Sequence, residues 1–288
     1  MPKALIAYLS QGGSTKKIAD QVAIGLSDDG FMVDTYDVSA GLQTDLRSFD
    51  LLGIGTPTYV FRPPFNVMDF LRSLPPLSGK PFFVFLLYGT IPGTAGNIVR
   101  RKLARKGGRE VGYRKFKGPD YFIGYLQRGV LFSPDNPTNE ELQVAREFGR
   151  SVATFASGGG YAKPPRDSPP TVVHTFERIV TMRFLLSQFY SRFFKANQER
   201  CSSCGICVEN CPQGNISLDD NGKPIWGRDC MGCFYCELRC PEDAITSPMD
   251  WPLFEPFMAY NIWHSKRDPS LEHSEVSLHG GRVDKTAP

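Results

Sequence analysis

Eight cysteines form the clearest chemical pattern in this 288-residue sequence. They fall into two runs with gaps of two, two and three residues, each followed directly by proline: Cys201, Cys204, Cys207 and Cys211, then Cys230, Cys233, Cys236 and Cys240. This spacing binds [4Fe–4S] clusters, because one tight loop supplies three thiolates and a distant segment supplies the fourth. The fourth cysteine of each run ligates the other cluster in such modules. We therefore expect one cluster on Cys201, Cys204, Cys207 and Cys240, and a second on Cys230, Cys233, Cys236 and Cys211.

A pair of structural zinc sites is the alternative, since zinc takes four ligands and eight cysteines would fill two sites. Zinc pairs usually consist of separated two-cysteine clips, whereas both runs here are triplets followed by Cys-Pro. Disulfides are not expected, because the start, from Met1 to Tyr8, enters a strand-like run without a secretory leader. That start predicts a cytoplasmic location.

A turn rich in glycine and hydroxyl groups follows the first apolar run: Ser10, Gln11, Gly12, Gly13, Ser14 and Thr15. At a helix N-terminus such a turn offers backbone N–H groups and the positive end of the helix dipole to a phosphate. The turn has neither the Gly-Lys-Ser/Thr of a nucleotide-binding P-loop nor the G-x-G-x-x-G of a dinucleotide site. Taken alone, it is equally compatible with a plain strand-to-helix connection.

Two later loops strengthen the interpretation as a binding site. Thr56, Pro57, Thr58 and Tyr59 follow the third apolar run, and Tyr88, Gly89, Thr90 and Gly93 follow the fourth. Ligands of open α/β sheets bind beyond the carboxyl ends of the strands, where these loops are expected to meet. Exposed backbone beside a tyrosine suits a flat aromatic ring held by amides and stacked on a phenol.

The first 157 residues alternate short apolar runs with helical periodicity. This alternation predicts a doubly wound α/β fold with a five-stranded parallel sheet, whose strands we expect over 3–9, 31–38, 51–56, 81–87 and 109–116. A Gly/Pro linker and a connecting helix are expected over 158–198. The cysteine domain is expected over 199–247, and an aromatic, then polar and poorly ordered, tail over 248–288.

Residues 1–157 resemble flavodoxin, whose phosphate loop Thr/Ser-x-Thr-Gly-Asn-Thr is matched from Ser10 to Thr15 except at Gly12 and Ser14. Residues 199–247 resemble the small α+β ferredoxins of bacteria that hold two [4Fe–4S] clusters. The segments 214–218 and 222–226 fit the same pattern. The chain therefore resembles the flavodoxin–ferredoxin fusion proteins of anaerobic bacteria and archaea. The resemblance implies FMN at the three loops of the first domain, beside the two clusters.

Two functions follow from this pairing. The favoured one is a low-potential electron carrier that relays electrons between the clusters and FMN for a redox partner protein, either a ferredoxin or an oxidoreductase. The alternative is an FMN-dependent reductase of a small molecule, fed by the cysteine domain. The four histidines lie outside the three loops, although Tyr59 or Tyr88 could donate a proton.

Charge and hydropathy restrict the partners further. A net charge of +3 is too small to indicate nucleic-acid binding, and no apolar run approaches the roughly 18 residues that span a bilayer.

Five tail aromatics recur at every third residue: Trp251, Phe254, Phe257, Tyr260 and Trp263. We expect them to form a strap over apolar surface, with a lid over the flavin or a homodimer interface as the alternative.

Overall fold

The computed structural model describes residues 1–41, 48–168 and 171–285. Its helices and strands run in the order β1 (Lys3–Tyr8), α1 (Ser14–Asp28), β2 (Met32–Asp37), β3 (Leu51–Pro57), α2 (Phe65–Ser73), β4 (Pro81–Tyr88), α3 (Ala95–Arg105), β5 (Arg109–Lys117), α4 (Ile123–Leu126), β6 (Val130–Phe132), α5 (Asn139–Ala156), α6 (Val172–Val180), β7 (Lys195–Ala196), α7 (Ile206–Glu209), β8 (Ile216–Leu218), β9 (Pro224–Trp226), α8 (Tyr235–Leu238), β10 (Ile245–Thr246), α9 (Glu255–Ser265), β11 (His273–His279) and β12 (Arg282–Lys285). Short 3₁₀ and π turns connect some of these elements.

Contacts divide the described chain into two units. The first holds Met1–Gly118 and the stretch that starts at Asp135, and the second holds Pro119–Pro134 and the stretch that starts at Thr171. The main difference between this division and the domain bounds expected from the sequence concerns residues 119–134. Residues 119–134 belong with the cysteine domain, because β6 pairs with β11 from the far end of the chain.

The first unit contains the predicted five-stranded parallel sheet, in the order β2-β1-β3-β4-β5. β4 is apolar along its length because both of its faces are buried, as in the parallel sheets of α/β proteins. The fold is thus the doubly wound, flavodoxin-like one, in which the strand order reverses between β1 and β3.

Helices α1 and α5 pack against each other unusually closely. A Cβ atom on Gly25 would lie 2.0 Å from the carbonyl oxygen of Arg146, and one on Gly149 would lie 2.3 Å from that of Val22. Asp28 at the end of α1 forms ion pairs with Arg146 and Arg150, both at 2.8 Å. Glycine on each helix therefore permits a contact that any side chain would prevent.

Helix α5 starts at a capping residue, Thr138. Thr138 Oγ1 accepts a hydrogen bond from the backbone N–H of Glu141 at 3.2 Å, and the Glu141 carboxylate accepts one from Thr138 N–H at 3.0 Å. This reciprocal pair is a capping box.

The Gly/Pro stretch after α5 runs along the first unit. Arg100 and Glu110 form a buried ion pair of 2.7 Å, and the Arg100 guanidinium also donates to the carbonyl oxygen of Pro164 at 3.1 Å. The Tyr113 hydroxyl donates to the carboxylate of Asp167. The described part of the expected linker is therefore attached to α3 and β5.

The second unit is built from short elements around one apolar core. β8 pairs with β9 and β10 pairs with β7, each antiparallel, while β12, β11 and β6 form a three-stranded sheet. Phe254, Met258 and Val276 from the tail share the core with Cys207 and Cys240. The tail thus packs within this unit, as the strap interpretation expects.

Two expectations about the second unit differ from the structure. A continuous helix is expected over 175–197, but α6 ends at Val180 and irregular turns follow as far as Phe193. Residues 273–285 are expected to be poorly ordered because they are polar, yet they form β11 and β12. Strand pairing satisfies their backbone groups, and Val276 of β11 is buried in the core. None of the described helices is long and apolar enough to cross a membrane.

Candidate flavin and cluster sites

The three predicted binding loops meet at the carboxyl ends of β1, β3 and β4. Leu9 N–H donates to Gly55 O at 3.1 Å, and Thr58 N–H donates to Leu87 O at 2.9 Å. The side chains of Tyr59 and Gln11 are hydrogen-bonded to each other. The structure thus brings the first and second loops into contact, at the edge where doubly wound folds bind their ligands.

The first loop has the geometry of an anion site. Gly13 has φ +85 and caps the N-terminus of the 15-residue α1, and the space where its Cβ would lie is empty. Backbone N–H groups at the start of α1 and the helix dipole favour a negative charge there. Ser10 Oγ accepts from Lys16 N–H at 3.1 Å, so this hydroxyl fastens the loop to the helix and keeps its own proton to donate.

The second loop supplies a polar atom that lacks a protein partner. Thr58 Oγ1 is buried, and no described residue forms a hydrogen bond with it. A buried hydroxyl of this kind calls for a bound water, ion or ligand. The residues of the three loops therefore fit a phosphate-bearing flavin.

The sequence does not predict the backbone strain beside these loops. Val60 and Phe61 have positive φ values of 46° and 62°, in the left-handed region that non-glycine residues rarely adopt. Gly93 has φ +54, and a Cβ there would lie 2.6 Å from the carbonyl oxygen of Phe61. No composition signal marks these two residues. Only the glycine at 93 hints that the backbone approaches closely.

In the second unit, a small cavity of about 20 Å³ is lined by a complete predicted ligand set. Its cysteines are Cys201, Cys204, Cys207 and Cys240, which we call the first cysteine group. The structure thus brings Cys240, from the second run, to the three leading cysteines of the first run. Burial raises the pKa of the Cys207 thiol, and the nearby thiols of Cys204 and Cys240 act in the same direction.

The other four cysteines, Cys230, Cys233, Cys236 and Cys211, form the second cysteine group. Burial raises the pKa of Cys230 to about 12, with added contributions from the neighbouring Cys233 and Cys211. The Cys236 thiol is also buried, and its pKa is raised first by burial and then by Cys233. Cys211 therefore lies near Cys230 of the second run.

Backbone N–H groups point at thiols from both groups. Asn215 N lies 3.3 Å from Cys211 Sγ, Gly232 N lies 3.4 Å from Cys230 Sγ, and Ala244 N lies 3.3 Å from Cys240 Sγ. Such donors stabilise negative charge on sulfur. They suit thiolates bound to iron better than neutral thiols.

Trp226 adds a side-chain donor to the second group. Its Nε1 is buried and forms no hydrogen bond with any described residue, and it lies near the Cys236 thiol, whose pKa it lowers. The ring stacks on Phe194 at 5.8 Å, and Phe194 stacks on Phe234 at 5.7 Å. An indole N–H without another partner can donate a hydrogen bond to sulfur, which suits an iron–sulfur cluster at this position.

All eight cysteines are free of disulfides. Within the described residues, no three Cys, His, Asp or Glu side chains converge closely enough to hold a single metal ion. A four-iron cube is larger than one ion and requires its thiolates to lie farther apart. Zinc and the cluster therefore differ in the spacing they need, and metal analysis separates them.

Comparison with protein-family models identifies both parts of the chain. Residues 5–122 match the model of a flavodoxin domain, and residues 200–245 match that of a 4Fe-4S dicluster domain. The chain is 44% identical over 52 residues to a ferredoxin of Pyrobaculum islandicum, covering 17% of this chain and 48% of that protein. It is 41% identical over 51 residues to the pyruvate synthase subunit PorD of Methanocaldococcus jannaschii, covering 17% and 59%. The chain thus spans about half the length of these curated relatives.

Solved structures match the other part of the chain. A flavodoxin from the domain Archaea is 20% identical and covers 54% of this chain and 99% of its own, with a TM-score of 0.41. Oxidised Flavodoxin 1 from Bacillus cereus is 21% identical, covers 55% and 99%, and has a TM-score of 0.43. By the family models, the chain carries an N-terminal flavodoxin domain, which implies FMN, and a C-terminal 4Fe-4S dicluster domain, which implies iron–sulfur clusters; it is a flavodoxin–ferredoxin fusion.

Proposed function

We propose that this protein relays electrons between FMN and two [4Fe–4S] clusters and delivers them to, or accepts them from, a redox partner protein. The observation that carries the proposal is the cavity shared by Cys240 and the leading cysteines of the first run. Crossed ligation of this kind brings two clusters close together, an arrangement useful for conducting electrons and unnecessary for holding a small domain together.

The two kinds of cofactor would transfer different numbers of electrons. A flavin transfers one or two electrons, and a [4Fe–4S] cluster transfers one. The residues of this chain bind and tune these groups. The turn from Ser10 to Thr15 would hold the FMN phosphate, and the loops at Thr56–Tyr59 and Tyr88–Gly93 would hold its ring. The two cysteine groups would hold one cluster each, with backbone N–H groups and the Trp226 indole directed at sulfur.

Paired cysteine variants test the ligand assignment. Anaerobically reconstituted wild type should contain about eight iron atoms and one FMN per chain, the content of two cubanes and one flavin. Cys207→Ser/Cys240→Ser removes two ligands of the first group and should retain about four iron atoms. Cys207→Ser/Cys230→Ser, also a double substitution, removes one ligand from each group and should lose more iron.

Equal iron contents in the two double variants would contradict the crossed assignment. Zinc in place of iron in the wild type, with no flavin, would overturn the proposed function itself.

Electron exchange within one chain tests the relay. An electron introduced at the clusters should reach the flavin with a rate that does not change when the protein is diluted tenfold, because an intramolecular step does not depend on concentration. The flavin absorbance after flash reduction reports this rate. A rate that falls in proportion to protein concentration would show that electrons pass between molecules, and the internal relay would be wrong.

A further inference from the structure

Helix α6 is oriented with its polar side inward and its apolar side outward. His174 and Glu177 are only 1% and 8% exposed. On the opposite side of the helix, Val172, Phe176 and Ile179 are 87%, 50% and 52% exposed. Positions i, i+4 and i+7 share one helix face, so these three side chains form one apolar stripe. A helix in water alone should show the reverse orientation.

Hydrogen bonds fix this orientation. His174 Nε2 and Asn261 Oδ1 lie 3.1 Å apart, and Asn261 Nδ2 donates to both carboxylate oxygens of Glu177 at 3.1 Å. Asn261 is on α9 and is itself buried. Rotating α6 to hide its apolar stripe would break this buried network and leave polar groups without partners. The exposed stripe is therefore built into the fold.

Further exposed apolar side chains follow α6 along the chain. From 172 to 193, seven large apolar side chains are exposed: Val172, Phe176, Ile179, Met182, Phe184, Phe189 and Phe193. Phe189 and Phe193 are in ring contact at 5.1 Å, and Phe193 contacts Trp251 at 4.9 Å. Exposed apolar side chains normally occur singly, so this concentration marks an interaction surface. We call residues 172–195 the apolar segment.

The charges of the apolar segment are positive. Its cations are Arg178, Arg183, Arg192 and Lys195, of which Arg183 forms an ion pair with Asp229 at 3.1 Å and Arg192 and Lys195 are exposed. Its single acid, Glu177, faces inward. Aromatic and aliphatic side chains combined with lysine and arginine are typical of helices that lie in the interface of an anionic bilayer. A two-fold contact between copies would bring these cations together and is disfavoured. The most exposed side chains, Val172 and Phe184, protrude, which a headgroup layer accepts without a matching pocket.

We propose that the apolar segment docks this protein onto the surface of a bilayer that contains anionic lipid. Phe176, Ile179 and their neighbours enter the headgroup region, while the exposed Arg192 and Lys195 contact lipid phosphates. The proposal does not depend on the electron relay, since it concerns where the protein acts and not which cofactors it holds.

Vesicle sedimentation of the full cofactor-loaded chain tests the proposal. We expect binding to vesicles of phosphatidylglycerol and phosphatidylcholine at low salt, at least tenfold weaker binding to phosphatidylcholine alone, and release at 0.5 M salt, where charges are screened within a few ångströms. Phe176→Ser/Ile179→Ser should reduce the binding at least tenfold. Ile24→Ser/Met32→Ser is the matched control, since it removes two exposed apolar side chains from the first unit and should bind like wild type.

The iron content of each variant, measured beforehand, shows that the second unit has folded. Absence of wild-type binding to the anionic vesicles would overturn the proposal, as would an equal loss in the control pair. Sedimentation of the free protein as a dimer that Phe176→Ser/Ile179→Ser converts to monomer would also overturn it and assign the surface to a second copy.

Discussion

Trp226 is the residue whose side chain bears most directly on cluster properties. Its buried Nε1 forms no hydrogen bond with any described residue, and it lies near Cys236 of the second cysteine group. A hydrogen bond to a cluster ligand stabilises the more negative, reduced state and so raises the reduction potential. This donor comes from β9, outside both cysteine runs.

Replacing Trp226 with Phe should lower the potential of one cluster by roughly 20–60 mV, the equivalent of one hydrogen bond for a one-electron couple. The apolar packing on Phe194 is largely kept. A redox titration followed by electron paramagnetic resonance measures the potentials. Trp263→Phe, which changes a half-exposed indole, should leave both potentials as in wild type. Equal potentials in wild type and Trp226→Phe would show that the indole does not act on a cluster.

At the scale of elements, the α1–α5 contact should be the most sensitive helix packing in the first unit. Gly149→Ala should lower the free energy of unfolding of this unit by about 1–3 kcal/mol, because the new methyl group meets the Val22 carbonyl and the helices must separate. Urea unfolding monitored by flavin release measures the change. Ser151→Ala, on an exposed position of α5, should shift the midpoint much less. A Gly149→Ala midpoint equal to that of Ser151→Ala would contradict the close packing.

The α6–α9 network should make the second unit sensitive to pH. Burial raises the pKa of Glu177 to about 7 from its ordinary 4.5, so the folded state retains a proton that the unfolded chain releases. Stability from this group is therefore full at low pH and is lost as pH rises toward and through 7. Burial lowers the pKa of His174, which acts in the opposite direction and reduces stability as pH falls below about 6.5.

We expect Glu177→Gln to remove the loss of stability at alkaline pH, since the amide keeps an acceptor for Asn261 and does not ionise. Amide hydrogen exchange of α6 at pH 5.5 and 8.0, corrected for intrinsic rates, measures the effect. Protection in wild type should fall more between the two pH values than protection in the variant. The same fall in both proteins would exclude Glu177 as its source.

The elements differ in how far the sequence predicts them. β4, from Pro81 to Tyr88, is a continuous apolar run and is predicted almost to the residue. β6 has three residues, and its partner β11 lies about 140 positions later, so no local pattern indicates the pairing. The cysteine spacing predicts both ligand sets. The cysteine spacing does not predict the position of Trp226 or the strained backbone of Val60, because those features depend on contacts with distant segments.

At the scale of the whole molecule, the C-terminal hairpin is part of the cysteine domain. Gly280 N–H donates to the Asp243 carboxylate at 2.9 Å, and a Cβ on Gly281 would lie 2.9 Å from the carbonyl oxygen of Arg239. The hairpin tip thus lies against the segment that carries Cys240. The sequence predicts that the ferredoxin-like module ends at residue 247, but the tail that begins at residue 248 contributes to the structure of that module.

Deleting residues 269–288 should therefore reduce the iron retained by the chain while the flavin content stays near one per chain. The deletion removes β11 and β12 and exposes the backbone around Cys240 to solvent. Iron and flavin analysis after anaerobic reconstitution measures both. Deleting only residues 286–288 is the control and should have no effect. Full iron retention in the longer deletion would show that the hairpin is dispensable.

The assignment of residues 119–134 to the second unit has a consequence for how such a protein can arise and be dissected. The chain passes between its units three times, after Gly118, after Pro134 and before Thr171. Two genes joined end to end would produce a single crossing. A gene for the second unit therefore has to be assembled from two separate stretches, and expression of residues 1–157 alone would leave β6 without the strand it pairs with.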